Sequence, residues 1–390
     1  MAFDIGIIGA GIGGLAAAAG LAQAGHRVHL VERFAEPRPL GSGLVVQPVG
    51  LAVLDGLGAG DAARRLGAPI RHMLGHAGRR VALDVRYRPQ APGLAMHRAA
   101  LFSVLWQAVQ RAGVPITTGV EVTSAPHDKS RRLICGAGGE RLGPFDLVID
   151  ASGAGSRLSP LKARPLPFGA VWGQVPWPRD TALPPDRLSQ RYDAGRRMAG
   201  VLPIGRLPGD PTPRAAVFWS LPRAALAGWP DQDMGRWRAE VAALWPEMAP
   251  FLTPLTDTAH LTPARYSHGS LRRPHAPALA YVGDAAHRAS PQLGQGANMA
   301  LLDAQALIIA LRAPIDEALP AYAQMRRWHL RSYQAMSAVF TPMYQSDLGL
   351  PPWLRDTLLA PVSRIWPLPR VLQALVSGDL LPPLAGQHWP

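Results

Sequence analysis

The N-terminal residues follow the pattern of apolar and small positions that a strand–helix–strand unit requires. Phe3 to Ile8 is almost wholly apolar, which predicts a buried strand. Glycines occupy most of the next stretch, from Gly9 to Gly14, and residues 15–24 are small and apolar, which predicts a closely packed helix. Arg27 to Val31 predicts the second strand, and Glu32 ends it.

This glycine turn has the form G-x-G-x-x-G, follows a predicted strand and opens a predicted helix. Glu32 lies 18 residues beyond Gly14. In dinucleotide-binding folds such glycines form the tight turn and let the backbone approach a pyrophosphate, while the acidic residue binds ribose hydroxyls. The segment therefore predicts a dinucleotide site.

A second strand–turn–helix pattern lies late in the chain, from Ala280 to Asp303. The apolar run ends at Val282, and Asp284 follows at the predicted carboxyl edge of the strand. A loop with Pro291 and two glycines then leads into a helical spacing of small and apolar residues that starts at Asn298. A glycine-rich turn at a helix start leaves backbone N–H groups free for a ligand. The alternative is a strand–turn–helix with an accidental glycine cluster.

The middle of the chain, residues 164–273, predicts short strands between Pro/Gly turns and the amphipathic helix Met234 to Trp245. One face of this sheet is expected to collect Trp172, Tyr192, Met198, Leu202 and Trp219. Each of them alone fits an ordinary sheet core. As a set they suggest an apolar ligand cavity covered by the sheet.

The remaining segments predict further elements. Short helices are expected at 49–57 and 61–66, and a hairpin at 70–76 and 81–85 with its turn at Gly78. Strands are expected at 116–123, 132–135 and 145–150, and a helix at 319–339. The glycines at 136–139 precede no helix, so they predict a hairpin turn rather than a second nucleotide site.

Composition narrows the class of protein. The 390 residues are 48% hydrophobic, which indicates a globular chain of about two domains. The net charge of +13 raises the question of nucleic acid, but the basic residues are almost all Arg and form no run longer than a pair. A compositional bias is the favoured interpretation. Cys135 is the only cysteine, which excludes an intrachain disulfide, and it is expected to be buried in a strand. No His or Cys spacing predicts a metal site.

Two segments raise the question of a membrane. Residues 5–25 carry no charge, but their glycines and strand–turn–helix pattern argue against a span, and no basic n-region precedes them. We therefore expect a cytoplasmic protein. Residues 351–390 are rich in Leu, Pro and Trp, with short helices expected at 353–361 and 371–376. Packing over the body is favoured there, and a membrane-surface role is the alternative.

Together, the N-terminal fingerprint and the late segment resemble the FAD-dependent aromatic hydroxylases of the p-hydroxybenzoate hydroxylase type, the class A flavoprotein monooxygenases. That family's late motif, G-D-A-A-H…P…G-Q-G-x-N, matches Gly283 to His287, Pro291 and Gly294 to Asn298. The resemblance spans about residues 1–340. It implies one non-covalent FAD, with NAD(P)H and O2 as co-substrates of a hydroxylation.

The resemblance also implies roles for particular residues. Glu32 would hold the adenosine ribose, Asp284 the ribityl chain, and Arg98 another part of FAD, although a surface Arg is the alternative. Gln47 would face the ring or the substrate, or be a turn residue beside Pro48. The implied cofactor-binding set is Gly9, Gly11, Gly13, Gly14, Glu32, Arg33, Gly43, Arg98, Gly153, Asp284, Gly294, Gly296, Ala297 and Asn298. The backbone carbonyl of Pro291 is expected beside the substrate.

The expected architecture is an α/β fold. A Rossmann-like FAD-binding domain takes residues 1–67, 93–163 and 274–340. An inserted antiparallel sheet domain for the substrate takes 68–92 and 164–273, and a helical tail takes 341–390. The expected substrate is a small, apolar aromatic or polycyclic compound, bound by a monomer or homodimer with no nucleic-acid partner and no transmembrane segment.

Ser152 is a departure from the family pattern, because the family's second flavin-side motif has Asp at that place. This leaves open whether the reductant is NADH or NADPH. It also leaves a second hypothesis for the function, an FAD-dependent reductase or dehydrogenase acting on a double bond. The G-W-x-W-x-I-P segment of flavin-dependent halogenases is absent from the sequence. A basic, non-catalytic binding protein is the third hypothesis.

Overall fold

The computed structural model describes residues 1–36 and 43–387, so most of the expected Pro/Gly loop at 36–43 and the last residues of the tail lie outside it. Its strands are β1 (Asp4–Ile8), β2 (Arg27–Val31), β3 (Gly43–Val46), β4 (Ala68–Ile70), β5 (His72–Ala77), β6 (Arg80–Arg86), β7 (Gly93–His97), β8 (Ile116–Thr117), β9 (Val122–Ser124), β10 (His127–Asp128), β11 (Arg131–Gly136), β12 (Arg141–Phe145), β13 (Leu147–Asp150), β14 (Arg164–Pro176), β15 (Arg187–Asp193), β16 (Arg197–Pro203), β17 (Arg214–Pro222), β18 (Leu261–Ser270), β19 (His275–Ala276), β20 (Leu279–Tyr281) and β21 (His287–Arg288). Its helices are α1 (Ile12–Gln23), α2 (Pro48–Gly56), α3 (Gly60–Leu66), α4 (Arg98–Arg111), α5 (Met234–Leu244), α6 (Ala249–Leu252), α7 (Gly296–Ala310), α8 (Ile315–Tyr344), α9 (Leu350–Leu354), α10 (Ala360–Val362) and α11 (Leu368–Ser377).

The two ends of the sequence pattern meet in one six-stranded sheet, ordered β19-β20-β13-β1-β2-β8. β1 lies between β13 and β2 and runs parallel to both, so Ile8 pairs with Val31 on one side and with Asp150 on the other. β20 pairs parallel to β13. β8 pairs parallel to β2, so the carboxyl ends of five strands meet at one edge, where ligands bind in open α/β sheets. The predicted α/β fold is confirmed.

Small residues explain how tightly the helices cover this sheet. A Cβ at Gly14 would lie 1.9 Å from the carbonyl oxygen of Gly9, so α1 approaches β1 as closely as only glycine allows. A Cβ at Gly20 would meet the Ile308 side chain of α7 at 2.2 Å. These contacts build one core from α1, α4, α7 and the sheet.

The second layer is an eight-stranded sheet, ordered β21-β18-β14-β17-β16-β15-β5-β6. Its pairs are antiparallel except β15 with β5, which run parallel. A three-stranded sheet, β3-β7-β4, lies outside it. β4, at the start of the expected substrate domain, pairs with β7 of the expected FAD-binding domain.

The expected position of Trp219 is wrong. Trp172 pairs with Phe218 across β14 and β17, whereas Trp219 pairs with Val171. Because successive side chains of a strand point to opposite faces, Trp219 lies on the far face, in a core with Trp237 of α5. Phe218 takes the place on the near face that was expected for Trp219.

The hairpin of β11 and β12 forms as predicted, around the glycines at 136–139. Cys135 lies in β11 but is only half-buried, so its expected burial is wrong. β11 is a strand of a small sheet outside the main core, which leaves part of its side-chain surface in contact with water.

The C-terminal helices return to the body of the protein. α8 extends from Ile315 to Tyr344, beyond both predicted ends. The side chains of His329 and Tyr333 on α8 hydrogen-bond to the carbonyl oxygens of Gly378 and Leu375, at 2.8 and 2.6 Å. No helix within residues 1–36 and 43–387 is both long enough and apolar enough to cross a membrane.

Candidate active site

The N-terminal glycines differ in how closely other atoms pack against them at the carboxyl edge of the sheet. Gly9 has a φ of +98°, and a Cβ there would lie 2.6 Å from the carbonyl oxygen of Ala151. A Cβ at Gly13 would meet Val282 at 2.8 Å. Gly11 differs, because its nearest protein atom would be 3.9 Å away and it faces the cavity described below. Gly11 is thus the glycine that leaves room for a ligand at the start of α1.

Glu32 is buried at the end of β2 and already has protein partners. One carboxylate oxygen accepts a hydrogen bond from the Ala10 N–H at 2.6 Å, and the other from the Phe34 N–H at 3.1 Å. These bonds fix the carboxylate beside the glycine turn. Each oxygen keeps a further lone pair for a hydroxyl donor. The Arg33 side chain is exposed and lies over the ring of Phe34.

The departure at Ser152 has a local structural explanation. Asp150 is fully buried at the end of β13, and it accepts hydrogen bonds from the Ser152 and Ser156 hydroxyls, both at 2.5 Å. The Ser152 side chain is thereby engaged in holding this turn. Gly153 follows with a φ of +78° and lines the cavity.

The late motif forms a short 3-10 turn, Gly283–Ala285, directly after β20. Gly283 has a φ of +60°. Asp284 is exposed and lines the cavity, and its carboxylate accepts no hydrogen bond from the residues that the structure describes. It is therefore a free acceptor at the carboxyl edge of the sheet.

Asn298 has a structural role. It is fully buried, and its Oδ1 accepts from the Gln47 N–H at 2.8 Å. Its Nδ2 donates to the carbonyl oxygens of Val45 and Gly294, both at 3.1 Å. The side chain thus ties β3 to the late loop. The Gln47 side chain accepts from the Tyr87 hydroxyl at 2.7 Å and lines the cavity.

A buried ionic network behind the late motif was missed from the sequence. Asp303 on α7 contacts Nε2 of His287 at 2.6 Å, Nε of Arg326 at 2.8 Å and the Gly283 N–H at 3.0 Å. Burial raises the pKa of Asp303, but His287 and Arg326 outweigh it and hold that pKa at about 2. The network fixes the backbone beside Asp284. In the sequence, Asp303 and Arg326 are charged residues within apolar helical patterns. Such a position does not by itself indicate which residue is the partner.

His329 extends this network and makes stability depend on pH. Burial and the charge of Arg326 lower the pKa of His329 to about 3, below its unfolded value of about 6.5. The unfolded chain therefore binds one more proton between these values. The free energy of unfolding is therefore unaffected by His329 above pH 6.5. It falls as the pH is lowered from 6.5 towards 3, by up to about 1.4 kcal/mol per pH unit. Asp303 acts in the same direction at lower pH.

We expect His329→Gln to flatten the dependence of the melting temperature on pH between 6.5 and 4, because it removes one of the protons taken up on unfolding. Scanning calorimetry at stepped pH measures the slope. The exposed residue His127 is the control, and His127→Gln should leave the slope unchanged. Equal slopes for wild type and His329→Gln would contradict the assignment.

A cavity of about 470 Å³ lies between the two large sheets. The carboxyl edge of the six-stranded sheet, the segment at β3, the start of α4 and the late loop contribute the following residues of the predicted site: Gly11, Gly13, Gly43, Gln47, Arg98, Gly153, Asp284, Pro291, Gly294, Gly296 and Ala297. The eight-stranded sheet contributes Met73, Trp172, Leu188, Gln190, Met198, Leu202, Phe218, Thr262, Ala264 and Tyr266. Other expected site residues lie outside this lining, namely Gly9, Gly14, Glu32, Arg33, Tyr192, Trp219 and Asn298. Tyr192 is buried behind the wall against Tyr344.

The wall on the sheet side has one polar arrangement of note. The indole N–H of Trp172 donates to the Tyr266 hydroxyl at 2.8 Å. Burial raises the pKa of Tyr266 to about 12, so the phenol stays neutral. Since its oxygen accepts from Trp172, its own proton remains available to a ligand.

Comparisons with known proteins agree with this geometry. A family model described as FAD binding domain matches residues 2–135 and 207–335. The putative 2-heptyl-3-hydroxy-4(1H)-quinolone synthase AqdB1 of Rhodococcus erythropolis is 30% identical over 335 residues, 80% of either chain. The 2-heptyl-3-hydroxy-4(1H)-quinolone synthase of Mycobacteroides abscessus is 28% identical over 92% of this chain and 94% of its own.

A solved structure supports the fold over the whole length. A variant of HpxO from Klebsiella pneumoniae, complexed with FAD, superposes with a TM-score of 0.77 at 23% identity. The match covers 97% of this chain and 100% of that one. Together with the glycine turn, the open position at Gly11 and the family match, these findings identify the chain as a member of the FAD binding domain family and as an FAD-dependent monooxygenase.

Proposed function

We propose that this enzyme hydroxylates an aromatic ring that carries an apolar substituent. The observation that carries the proposal is the cavity wall formed by β5 and by β14 to β18, where every lining residue among those described is uncharged and most are apolar. A carboxylate or urate-like anion would find no cation on that wall. An apolar chain would contact Met73, Leu188, Met198 and Leu202.

The names of the two quinolone relatives support the same substrate class. Both are named for the synthesis of 2-heptyl-3-hydroxy-4(1H)-quinolone, a bicyclic aromatic ring with a heptyl chain and a hydroxyl group, the Rhodococcus protein as a putative synthase. The neutral Tyr266 hydroxyl would donate to a ring oxygen, as of a quinolone, and so orient the ring.

FAD would lie along the other side of the cavity. Its pyrophosphate would approach the backbone at Gly11 and the N-terminus of α1, as helix N-termini favour anions. Glu32 would accept from the adenosine ribose and Asp284 from the ribityl chain, while Arg98 lies within reach of the same side. The bound cofactor, reduced by NAD(P)H, supplies the activation of O2. The role of the protein is to hold the aromatic ring of the substrate beside the cofactor and to exclude water from the site.

The co-substrate NAD(P)H would bind only transiently. The sequence holds one glycine-rich nucleotide fingerprint, at residues 9–14, and FAD would occupy it. The alternative, a reductase or dehydrogenase on the same fold, would consume NAD(P)H without inserting oxygen. Ser152 no longer favours that alternative, because its hydroxyl bonds to Asp150 within the turn.

The test is a substrate series assayed by O2 consumption coupled to NADH or NADPH oxidation. With 2-alkyl-4(1H)-quinolones of increasing chain length, kcat/KM should rise with the chain until the cavity is filled. Pyridine carboxylates and urate should stimulate neither reaction. Higher activity with such small anions than with every alkyl-bearing ring would overturn the proposal.

A pair of variants on one strand sharpens this test. Leu202 lines the cavity, whereas its neighbour Val201 is buried in the core on the other face of β16. Leu202→Ala should move the optimum to longer chains, because it enlarges the cavity. Val201→Ala should lose stability and leave the optimum in place. Equal shifts for both would show that the cavity does not select the chain.

Asp284→Ala is expected to weaken FAD binding by about ten- to a hundredfold, since removing a charged acceptor costs roughly 1.5–3 kcal/mol. The apoprotein should melt at the wild-type temperature, because this exposed carboxylate has no partner among the described residues. Fluorescence titration of the apoprotein with FAD measures the Kd. Asp180→Ala, an equal charge change at an exposed loop position, is the control. An unchanged Kd for Asp284→Ala would remove Asp284 from the site.

A further inference from the structure

The C-terminal helices carry large apolar side chains on their outer side. We call these the outer tail surface: Leu348, Leu350, Trp353, Leu358, Leu359, Val362, Ile365, Trp366 and Val371. They fall within 24 consecutive residues, and Trp353 and Trp366 are 58% and 73% exposed. Single exposed apolar side chains are common on soluble proteins, but nine large ones within one short stretch point to a binding role.

The same segment buries the charge that a water-facing helix would expose. Arg355 is only 2% exposed, in the π-helical turn Arg355–Leu359 between α9 and α10. Its guanidinium donates to the carbonyl oxygens of Met343 and Ala194 and lies over the rings of Tyr192 and Tyr344. The helix therefore faces its cation inward and its Trp and Leu side chains outward. This is the reverse of the pattern on a water-exposed surface.

The charges around the outer tail surface favour a polyanionic partner. Arg364 and Arg370 are exposed beside Ile365, Trp366 and Val371. Of the three acids in this segment, Asp356 pairs with Arg355 at 2.6 Å and Asp379 with Arg88 at 2.8 Å, which leaves the exposed Asp347 against the two arginines. The whole chain carries a net charge of +13. A second copy docked by two-fold symmetry would bring the same arginines together, which is unfavourable.

Tryptophan, leucine and arginine on one surface are the side chains that bind the interface of a lipid bilayer. Trp places an apolar ring among the acyl chains and an N–H at the headgroup level, and Arg binds anionic headgroups. We propose that the outer tail surface docks this enzyme, as a peripheral protein, on a bilayer that contains anionic lipid. The described helices include none that spans a membrane, so the contact is with the surface.

The tail also contacts the residues that enclose the cavity. Leu375 of α11 packs with Met299, Leu330 and Tyr333, which all line the cavity. Gln295, a further lining residue, donates to the carbonyl oxygen of Val376 at 2.9 Å. Docking through the tail would therefore place the cavity close to lipid, where a ring with an apolar chain partitions. This last step rests on the proposed substrate, whereas the docking surface does not.

The test is flotation of the FAD-loaded full chain with vesicles of phosphatidylcholine, with or without phosphatidylglycerol. Wild type should float with the phosphatidylglycerol vesicles and much less with phosphatidylcholine alone. The double variant Trp353→Ser/Trp366→Ser should lose binding by at least about tenfold. Arg364→Ser/Arg370→Ser should lose the preference for phosphatidylglycerol.

Trp328→Ser is the matched control. Trp328 is 60% exposed on α8, about 24 Å along the helix from Tyr344, where α8 ends. This variant should float as wild type does. All variants should keep their FAD and their rate with a short-chain, water-soluble substrate, which separates loss of docking from loss of folding or of the proposed function.

Three results would overturn the docking proposal. One is that wild type fails to float with either vesicle. Another is that Trp328→Ser and the tail double variant lose binding equally. The third is that light scattering shows a dimer of the wild type in the absence of lipid and a monomer of the tail double variant. This surface would then be a contact between two copies.

Discussion

A Gly11→Val variant is expected to fold and to bind essentially no FAD. Gly11 has a φ of −77°, which valine adopts without strain, and a Cβ there meets no protein atom closer than 3.9 Å. The added side chain would instead occupy the space at the cavity where the pyrophosphate must approach the backbone. The loss of affinity should exceed about a hundredfold, or about 2.7 kcal/mol. Absorbance of the purified protein and titration of the apoprotein with FAD measure it.

Gly14 in the same turn supplies the contrast. A Cβ there would lie 1.9 Å from the carbonyl oxygen of Gly9, so Gly14→Val should prevent correct folding rather than block a ligand. Circular dichroism should show native helix content for Gly11→Val and not for Gly14→Val. Full FAD occupancy in Gly11→Val would mean that FAD binds elsewhere.

Arg326→Met is expected to be the most destabilising single change outside the glycine turn, by about 3–5 kcal/mol. Arg326 is 1% exposed, and it donates to Asp303 and to the carbonyl oxygen of Pro383, both at 2.8 Å. Its removal leaves the buried Asp303 carboxylate with His287 as its one side-chain partner and the Pro383 carbonyl oxygen without this donor. Methionine matches the apolar stem of arginine, so the loss reports the charge and its hydrogen bonds.

The neighbour Arg327 makes the control strict. It is exposed on the same helix and lies over the ring of Trp328. Arg327→Met should change stability by less than about 0.5 kcal/mol. Thermal unfolding of the two apoproteins compares them directly. If Arg326→Met melts within a degree of Arg327→Met, the buried network does not hold the late motif in place.

Sequence periodicity was enough to predict the part of the fold that binds the cofactor. β1, α1 and β2 lie where the apolar and glycine pattern put them, because in a parallel α/β unit each strand and helix is specified by its own local sequence. The late strand–turn–helix was predictable for the same reason. Asp284 lies at the strand end where the sequence order alone requires it.

The substrate wall was harder to predict, since a shift of one residue moves a side chain to the opposite face of a strand. Trp219 and Phe218 are adjacent and both aromatic, and only the pairing of β17 with β14 decides which of them faces the cavity. That pairing brings together residues about fifty positions apart, and no local pattern records it. Phe218 was therefore missed and Trp219 misplaced.

Buried charges were the other omission. Arg326 and Arg355 lie in helices whose pattern predicts that a charge faces water, yet both are buried by partners from distant parts of the chain. Pro383 binds Arg326 from the tail, and Ala194 binds Arg355 from the turn after β15. The periodicity of apolar and polar residues does not reveal a tertiary hydrogen bond of this kind.

Oxygen transfer is the central claim, and labelled dioxygen tests it most directly. The FAD-loaded enzyme would turn over a 2-alkyl-4(1H)-quinolone with NAD(P)H under isotopically labelled O2, and mass spectrometry would follow the product. A monooxygenase must place one labelled oxygen atom in each hydroxylated product. Consumption of NAD(P)H and substrate with a product that contains no labelled oxygen would contradict the assignment and establish the reductase or dehydrogenase alternative.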